Sequence, residues 1–100
     1  MRVAIVSRHE STIKFVKVMF KDATVFEHIS DVDMLKDFDL IIGNLPLPLV
    51  AKLKEMGKRF VMISLNIPRE LRGKELTLDE LKKYAEMIEI EELKIKPFTI

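Results

Sequence analysis

The sequence predicts an α/β fold in which helices cover both faces of a mostly parallel β-sheet. Short apolar runs rich in β-branched residues alternate with segments whose apolar positions recur at helical spacing. Only a few residues join each strand-like run to the next helical segment, and a length of 100 residues suits one domain. Such alternation favours right-handed crossovers between parallel strands. We therefore expect a Rossmann-like, three-layer sandwich of four to five strands that spans residues 1–100 as a single domain.

Four runs have the pattern of strands. Those at 2–6 and 59–65 are short and rich in apolar residues, which is typical of strands that are buried on both faces in a parallel sheet. The runs are RVAIV at 2–6, ATVFEHI at 23–29, DLIIG at 39–43 and RFVMISL at 59–65. A further strand is predicted in the alternating tail LKIKPFTI, where Pro97 restricts it to an edge of the sheet.

Helical segments are predicted between and after these strands. Apolar spacing predicts a helix over 13–20, one helical turn within 30–38, and a second helix over 48–56 that stops at Gly57. A third helix is predicted over 77–93, because Thr77 and the glutamate three residues later have the spacing of a capping box.

The composition narrows the classes of function. The 17 basic and 16 acidic side chains nearly cancel, which argues against a protein that binds duplex nucleic acid through bulk positive charge. There is no cysteine, and no apolar run reaches the roughly 18 residues that a membrane span requires. We therefore expect a cytoplasmic protein without a thiolate metal site, a signal peptide or a membrane partner. Glutamine is absent and asparagine occurs only at positions 44 and 66, a depletion typical of proteins from hyperthermophiles.

Polar side chains follow three of the predicted strands at the point where each strand ends. In open parallel sheets, ligands bind beyond the carboxyl ends of the strands, where loops lead into helix N-termini. These side chains are Ser7, Arg8 and His9 after the first strand, Asn44 after the third, and Ser64 and Asn66 at the end of the fourth. The sequence therefore predicts a ligand site at this edge of the sheet.

The segment SRHE at 7–10 has two interpretations. Ser7 and Glu10 are spaced as a capping box, which predicts that they begin the first helix. Capping does not explain Arg8 and His9, because cations at a helix N-terminus oppose the helix dipole. These two side chains either bind an anionic ligand or point into solvent. A metal site is not expected, since His28 lies far away in the sequence and no ligand-like spacing is present.

The loop over 66–76 is a second candidate for phosphate binding. It places Arg69 and Arg72 three residues apart, and the planar guanidinium group suits phosphate. Alternatively, both arginines pair with acidic neighbours in a solvated loop. No GxGxxG, Walker lysine or G-x-S-x-G motif is present, which disfavours the usual dehydrogenases, P-loop enzymes and hydrolases.

Three segments together resemble a known family. VSRHES after the first strand, IIGNLPLPLVAKLKEMG in the middle and ISLNIPRELRGKEL before the third helix are similar to the small Csx-type ring nucleases of type III CRISPR systems, the kind numbered sixteen. The resemblance implies a fold related to CRISPR-associated nucleotide-sensing (CARF) domains. It also implies binding of cyclic oligoadenylate, with cyclic tetra-adenylate favoured, and its cleavage into linear products without a metal or other cofactor. A homodimer is expected, because a two-fold-symmetric ring matches a two-fold protein axis.

The resemblance also implies roles for individual residues. Arg8 would stabilise the pentavalent phosphate, His9 would donate or accept a proton, and Ser7 would hold a phosphate oxygen. Ligand-binding positions are predicted at Ser11, Asn44, Leu45, Pro46, Ser64, Asn66, Arg69 and Arg72. Arg69 or Arg72 would close over the ring from the loop over 66–76. Two alternatives stay open: a module that sequesters the ring without cleaving it, and a regulatory domain that binds an ordinary mononucleotide.

Overall fold

One five-stranded sheet, in the order β2-β1-β3-β4-β5, forms the centre of the computed structural model, which describes residues 1–100. The strands are β1 (Val3–Val6), β2 (Thr24–Phe26), β3 (Leu40–Gly43), β4 (Arg59–Leu65) and β5 (Ala85–Ile90). The helices are α1 (Glu10–Met19), α2 (Leu47–Glu55) and α3 (Leu78–Tyr84), with short 3₁₀ helices at Val32–Leu35 and Arg69–Leu71. The first four strands are parallel and β5 is antiparallel to β4. The predicted α/β fold with a mostly parallel, Rossmann-like sheet is confirmed.

The strand order reverses direction between β1 and β3. From β1 the chain crosses to β2 on one side, and it then returns to β3 on the other side of β1. Residue pairs along β1 show both partners, since Ala4 lies beside Thr24 of β2 and beside Ile41 of β3. In open α/β sheets the loops diverge at such a reversal and leave a crevice beyond the carboxyl ends of the two strands.

Apolar side chains cover both faces of the sheet. On one face, under α1, the buried cluster comprises Ile5, Val16, Ala23, Leu40, Ile42 and Ile63. On the other face, under α2 and the first 3₁₀ helix, it comprises Ala4, Val6, Ile29, Leu35, Phe38, Ile41, Val50, Leu53 and Phe60. Neighbouring residues of a strand point to opposite faces, so the continuous apolar runs of β1 and β3 supply both clusters.

Gly43 fixes how closely β1 and β3 approach at the crevice. Its φ angle is +155°, and a Cβ atom at this position would collide with the carbonyl oxygen of Val6, its partner in β1. The residue is buried at the end of β3. Only glycine fits at this point, because both backbones are held in the sheet.

The C-terminal quarter differs from the sequence prediction. The Thr77 capping box is confirmed, but α3 ends at Tyr84, and the chain enters β5 directly. The predicted helix over 77–93 is therefore wrong beyond residue 84. Six residue pairs join β5 to β4, and this pairing covers an edge of β4 that would otherwise be open.

The predicted strand in the tail LKIKPFTI is also wrong, since residues 91–100 have no regular secondary structure. The pairing explains this, because Ile90 already lies opposite Phe60, near the start of β4. Beyond it the sheet offers almost no partner strand. Among the helices, the longest has ten residues, and none has the length and apolar character needed to cross a membrane.

Candidate functional site

The loop after β1 begins the candidate site and corrects one prediction. Ser7 and Glu10 do not form a capping box: the N-cap of α1 is His9, without a side-chain cap. The Ser7 amide donates to the carbonyl of Phe26, so Ser7 still belongs to the extended pairing with β2 and lies too early to cap the helix. Its hydroxyl oxygen instead accepts the amide of His9 at 3.1 Å, and Glu10 pairs with Lys14 at 3.3 Å.

Arg8 and His9 are exposed at the N-terminus of α1. The guanidinium group of Arg8 is in no ion pair and no hydrogen bond within the chain. The carbonyl of His9 accepts the amide of Ile13, which closes the first turn of the helix. Because no side chain caps α1, its first amides are free to meet an acceptor other than the chain itself. A guanidinium group, an imidazole and free amides thus occupy the same end of the helix.

A cleft of about 520 Å³ lies at the carboxyl ends of the parallel strands. Three adjacent loops and α1 supply its polar lining: Ser7, Arg8 and His9 after β1, Glu27 and His28 after β2, Asn44 after β3, and Thr12 of α1. Leu45, Pro46, Leu49, Ile63 and Leu65 are among the apolar residues that complete it. The cleft occupies the crevice expected where the strand order reverses, and its volume lies within the range of small-molecule sites. We call it the sheet-edge cleft.

The structure brings together six of the predicted site residues in the sheet-edge cleft. They are Ser7, Arg8, His9, Asn44, Leu45 and Pro46. Sequence reasoning missed Glu27 and His28, which lie one and two residues beyond Phe26, the partner of Val6 in β2. His28 lies far from His9 along the sequence, which gave no sign that both residues line one cleft. Parallel pairing of β1 with β2 places the loops that follow them side by side, so the order of the strands was the missing signal.

A second cleft, of about 610 Å³, lies on the other side of Arg8 and His9. We call it the helix-side cleft. It holds Ser11, whose hydroxyl donates to Glu75 Oε1 at 2.6 Å. This hydrogen bond lowers the pKa of the Glu75 carboxyl below its ordinary value, and the nearby imidazole of His9 lowers it further. Ser11 therefore lies outside the sheet-edge cleft and binds a carboxylate of the chain itself.

Four other predicted ligand residues lie outside the sheet-edge cleft. Ser64 lies within β4 opposite Glu86, and the backbone amide of Asn66 donates to Tyr84. Arg69 and Arg72 are exposed beside the second 3₁₀ helix and form no ion pair. The alternative interpretation, in which these arginines pair with acidic neighbours, is therefore not what the structure shows. Their role in closing over a ligand stays a prediction.

The charged lining of the sheet-edge cleft suits an anion. It combines Arg8 with two imidazoles against a single carboxylate, that of Glu27. Nowhere in the chain do three or more His, Cys, Asp or Glu side chains form a group that could hold a metal ion.

The fold and the cleft define an α/β protein of Rossmann-like architecture with a polar site, which contains Arg8 and two imidazoles, at the reversal point of its sheet. More particularly, the chain belongs to the CRISPR-associated family described as "Putative CRISPR-associated protein (Cas_VVA1548)", whose model matches residues 4–96. The predicted relationship to CRISPR-associated proteins is confirmed at this level. No curated protein and no solved structure matches the chain.

Proposed function

We propose that this CRISPR-associated chain binds cyclic oligoadenylate in the sheet-edge cleft and cleaves it. The observation that supports the proposal best is the convergence of Arg8, His9 and the uncapped N-terminus of α1 on one cleft of about 520 Å³. Such a site favours a phosphodiester, because guanidinium and backbone amides stabilise negative charge on phosphate oxygens. Membership of a CRISPR-associated family makes a signalling oligonucleotide a more suitable ligand than an ordinary metabolite.

The proposed cleavage uses the ligand's own nucleophile. A ribose 2′-hydroxyl attacks the adjacent phosphorus, the bond from phosphorus to the 5′-oxygen breaks, and a 2′,3′-cyclic phosphate remains. The protein's contribution is positioning and charge stabilisation. Arg8 stabilises the charge that develops on the pentavalent phosphate, and His9 moves a proton. Ser7 accepts a hydrogen bond from the His9 amide, so its own hydroxyl proton is free to be donated to a phosphate oxygen.

The third loop supplies contacts for the nucleoside. Asn44 is exposed at the cleft and offers both a donor and an acceptor to an adenine edge or a ribose hydroxyl. Leu45 is half-buried and, with Pro46, provides an apolar surface for a base. These contacts come from the loop after β3, the strand that neighbours β1.

The size of the cleft favours a dimeric arrangement. A volume of about 520 Å³ is in the range that holds one small ligand, whereas a ring of four nucleotides is several times larger than a mononucleotide. One chain therefore surrounds only part of the ring, and a second copy related by a two-fold axis surrounds the rest.

The decisive experiment incubates the protein with excess labelled cyclic tetra-adenylate in EDTA and follows the products. We expect several equivalents of ring per chain to be converted into linear products. We also expect Arg8→Ala combined with His9→Ala to lower the single-turnover rate by about 10²-fold or more. Lys21→Ala is the matched control, because Lys21 is an exposed cation beyond the opposite end of α1.

Each other result assigns a different function. A stable complex without products would mean that the chain sequesters the ring. Retention of a mononucleotide without affinity for the ring would mean a regulatory nucleotide-binding domain. An unchanged rate in the double variant would refute the catalytic roles of Arg8 and His9.

A further inference from the structure

The sheet-edge cleft contains both histidines of the chain. The sequence has only two, His9 and His28, separated by 18 intervening residues, and both line this one cleft. His28 is exposed, and its imidazole makes no hydrogen bond within the chain. Neither packing nor hydrogen bonding within the chain therefore explains why residue 28 is a histidine.

The two imidazoles belong to loops that follow neighbouring strands. Because β2 and β1 are neighbours, the loop with His28 and the loop with Arg8 and His9 emerge side by side, about 5 Å apart in the direction across the sheet. The hydrogen bond from the Ser7 amide to the Phe26 carbonyl, at 3.0 Å, ties the two loops together. A phosphate held by Arg8 would thus lie in a cleft that is lined by imidazoles from two separate loops.

Cleavage by a 2′-hydroxyl requires two proton transfers on opposite sides of phosphorus. One group must accept the proton of the attacking hydroxyl, and another must donate a proton to the departing 5′-oxygen. An ordinary imidazole changes its protonation near neutral pH and can perform either task. Of the other charged groups at the cleft, Arg8 does not lose its proton, and an ionised carboxylate such as that of Glu27 has no proton to donate, so the donor must be an imidazole.

We infer that His28 is the second proton-transfer residue of the site and acts together with His9; this inference rests on the proposed function. One imidazole takes the 2′-hydroxyl proton as the bond from O2′ to phosphorus forms. The other, in its protonated form, gives its proton to O5′ as the bond from phosphorus to O5′ breaks. The products are a 2′,3′-cyclic phosphate and a free 5′-hydroxyl, and proton exchange with water restores both side chains.

The test compares wild type, His28→Gln, His9→Gln and the double variant under single-turnover conditions across the neutral pH range. Binding is measured separately with a ring whose riboses are 2′-O-methylated, because this probe keeps every phosphate but lacks the nucleophile. We expect His28→Gln to lower the cleavage rate by about 10²-fold or more. The affinity of His28→Gln for the methylated ring should stay within about threefold of the wild-type affinity, a difference of less than about 1 kcal/mol in binding free energy. His28 is exposed, so an unchanged melting temperature checks that the variant is folded.

The pH profile separates a proton-transfer role from a structural one. The cleavage rate of wild type should rise with pH on the acid side and fall on the basic side. Each single variant should lose one of these two limbs, and which limb is lost assigns the acid and the base. The inference is overturned if His28→Gln cleaves at the wild-type rate with both limbs intact. It is also overturned if cleavage and binding of the methylated ring fall in the same proportion, since His28 would then only bind ligand. A wild-type protein that binds the ring without cleaving it would instead refute the proposed reaction itself, and the role of His28 with it.

Discussion

Gly43→Ala should destabilise the protein and deform the sheet-edge cleft. A methyl group at this position meets the carbonyl oxygen of Val6, and both residues are held in register by the pairing of β1 with β3. The φ angle of +155° adds backbone strain of about 1–3 kcal/mol for any residue with a Cβ atom. Crowding in a packed interior typically adds about 1–3 kcal/mol more. Alanine also restricts the unfolded chain more than glycine does, which offsets about 0.4–1 kcal/mol of this cost. We therefore expect the free energy of unfolding to fall by about 2–5 kcal/mol.

Gly57→Ala is the matched control for this experiment. Gly57 also has a positive φ angle, +78°, but a Cβ atom there would meet nothing within 4 Å. Its substitution should cost only the left-handed strain of about 1–2 kcal/mol, less the same gain from the unfolded chain. The difference between the two variants therefore isolates the contact with Val6.

Urea denaturation and thermal melting of both variants measure this difference. In a domain of this length, each kcal/mol shifts the melting temperature by about 4–8 °C. Gly43→Ala should therefore melt several degrees below Gly57→Ala and should also bind the methylated ring more weakly. If the two variants are equally stable, the close approach of β1 and β3 at the floor of the cleft is not a constraint, and the reasoning fails.

Two further predictions concern the side-chain hydrogen bonds of Thr77 and Glu75. Thr77→Ala removes the acceptor for the Glu80 amide, so the free energy of unfolding should fall by about 1 kcal/mol in urea titrations; Thr77→Ser, which keeps the hydroxyl, should retain most of it. Ser11→Ala removes the hydrogen bond that lowers the pKa of Glu75, and a carboxyl with a lowered pKa contributes stability above its unfolded pKa that is lost as the pH falls. Ser11→Ala should thus be less stable than wild type at neutral pH, and the gap should close as the pH falls below the ordinary value of 4.5; a gap independent of pH would contradict the ionic role of Glu75.

Buried parallel strands were the most predictable part of the fold. The bounds of β4 agree with the predicted run at 59–65, and β1 and β3 differ from prediction by one residue each. Continuous apolar runs of this length leave no polar face for a surface helix, so periodicity and composition point to the same structure. The helical turn within 30–38 and the stop at Gly57 are likewise confirmed, since both depend on local backbone chemistry.

Tertiary contacts decided the elements that sequence reasoning missed. Residues 85–90 continue the helical periodicity of α3 and are rich in good helix formers, yet they pair with β4 across six positions. Burial of Met87 against one face of the sheet and of Ile90 against the other follows the period of a strand. Propensity is a weak determinant when an adjacent edge offers a full set of backbone partners. The capping of α1 was misjudged for the same reason, because pairing with β2 keeps Ser7 extended.

The charges around Arg8 and His9 explain why we assign the proposed ligand to the sheet-edge cleft rather than to the helix-side cleft. Both clefts share these two side chains and have similar volumes. On the helix side, Lys14 pairs with Glu10 and Ser11 donates to Glu75, so the further polar groups there already have partners within the chain. On the sheet side, Glu27 is the only carboxylate and His28 adds an imidazole. The helix-side cleft thus adds no unpaired cation to Arg8, whereas the sheet-edge cleft adds the unpaired imidazole of His28 at the crevice where the strand order reverses.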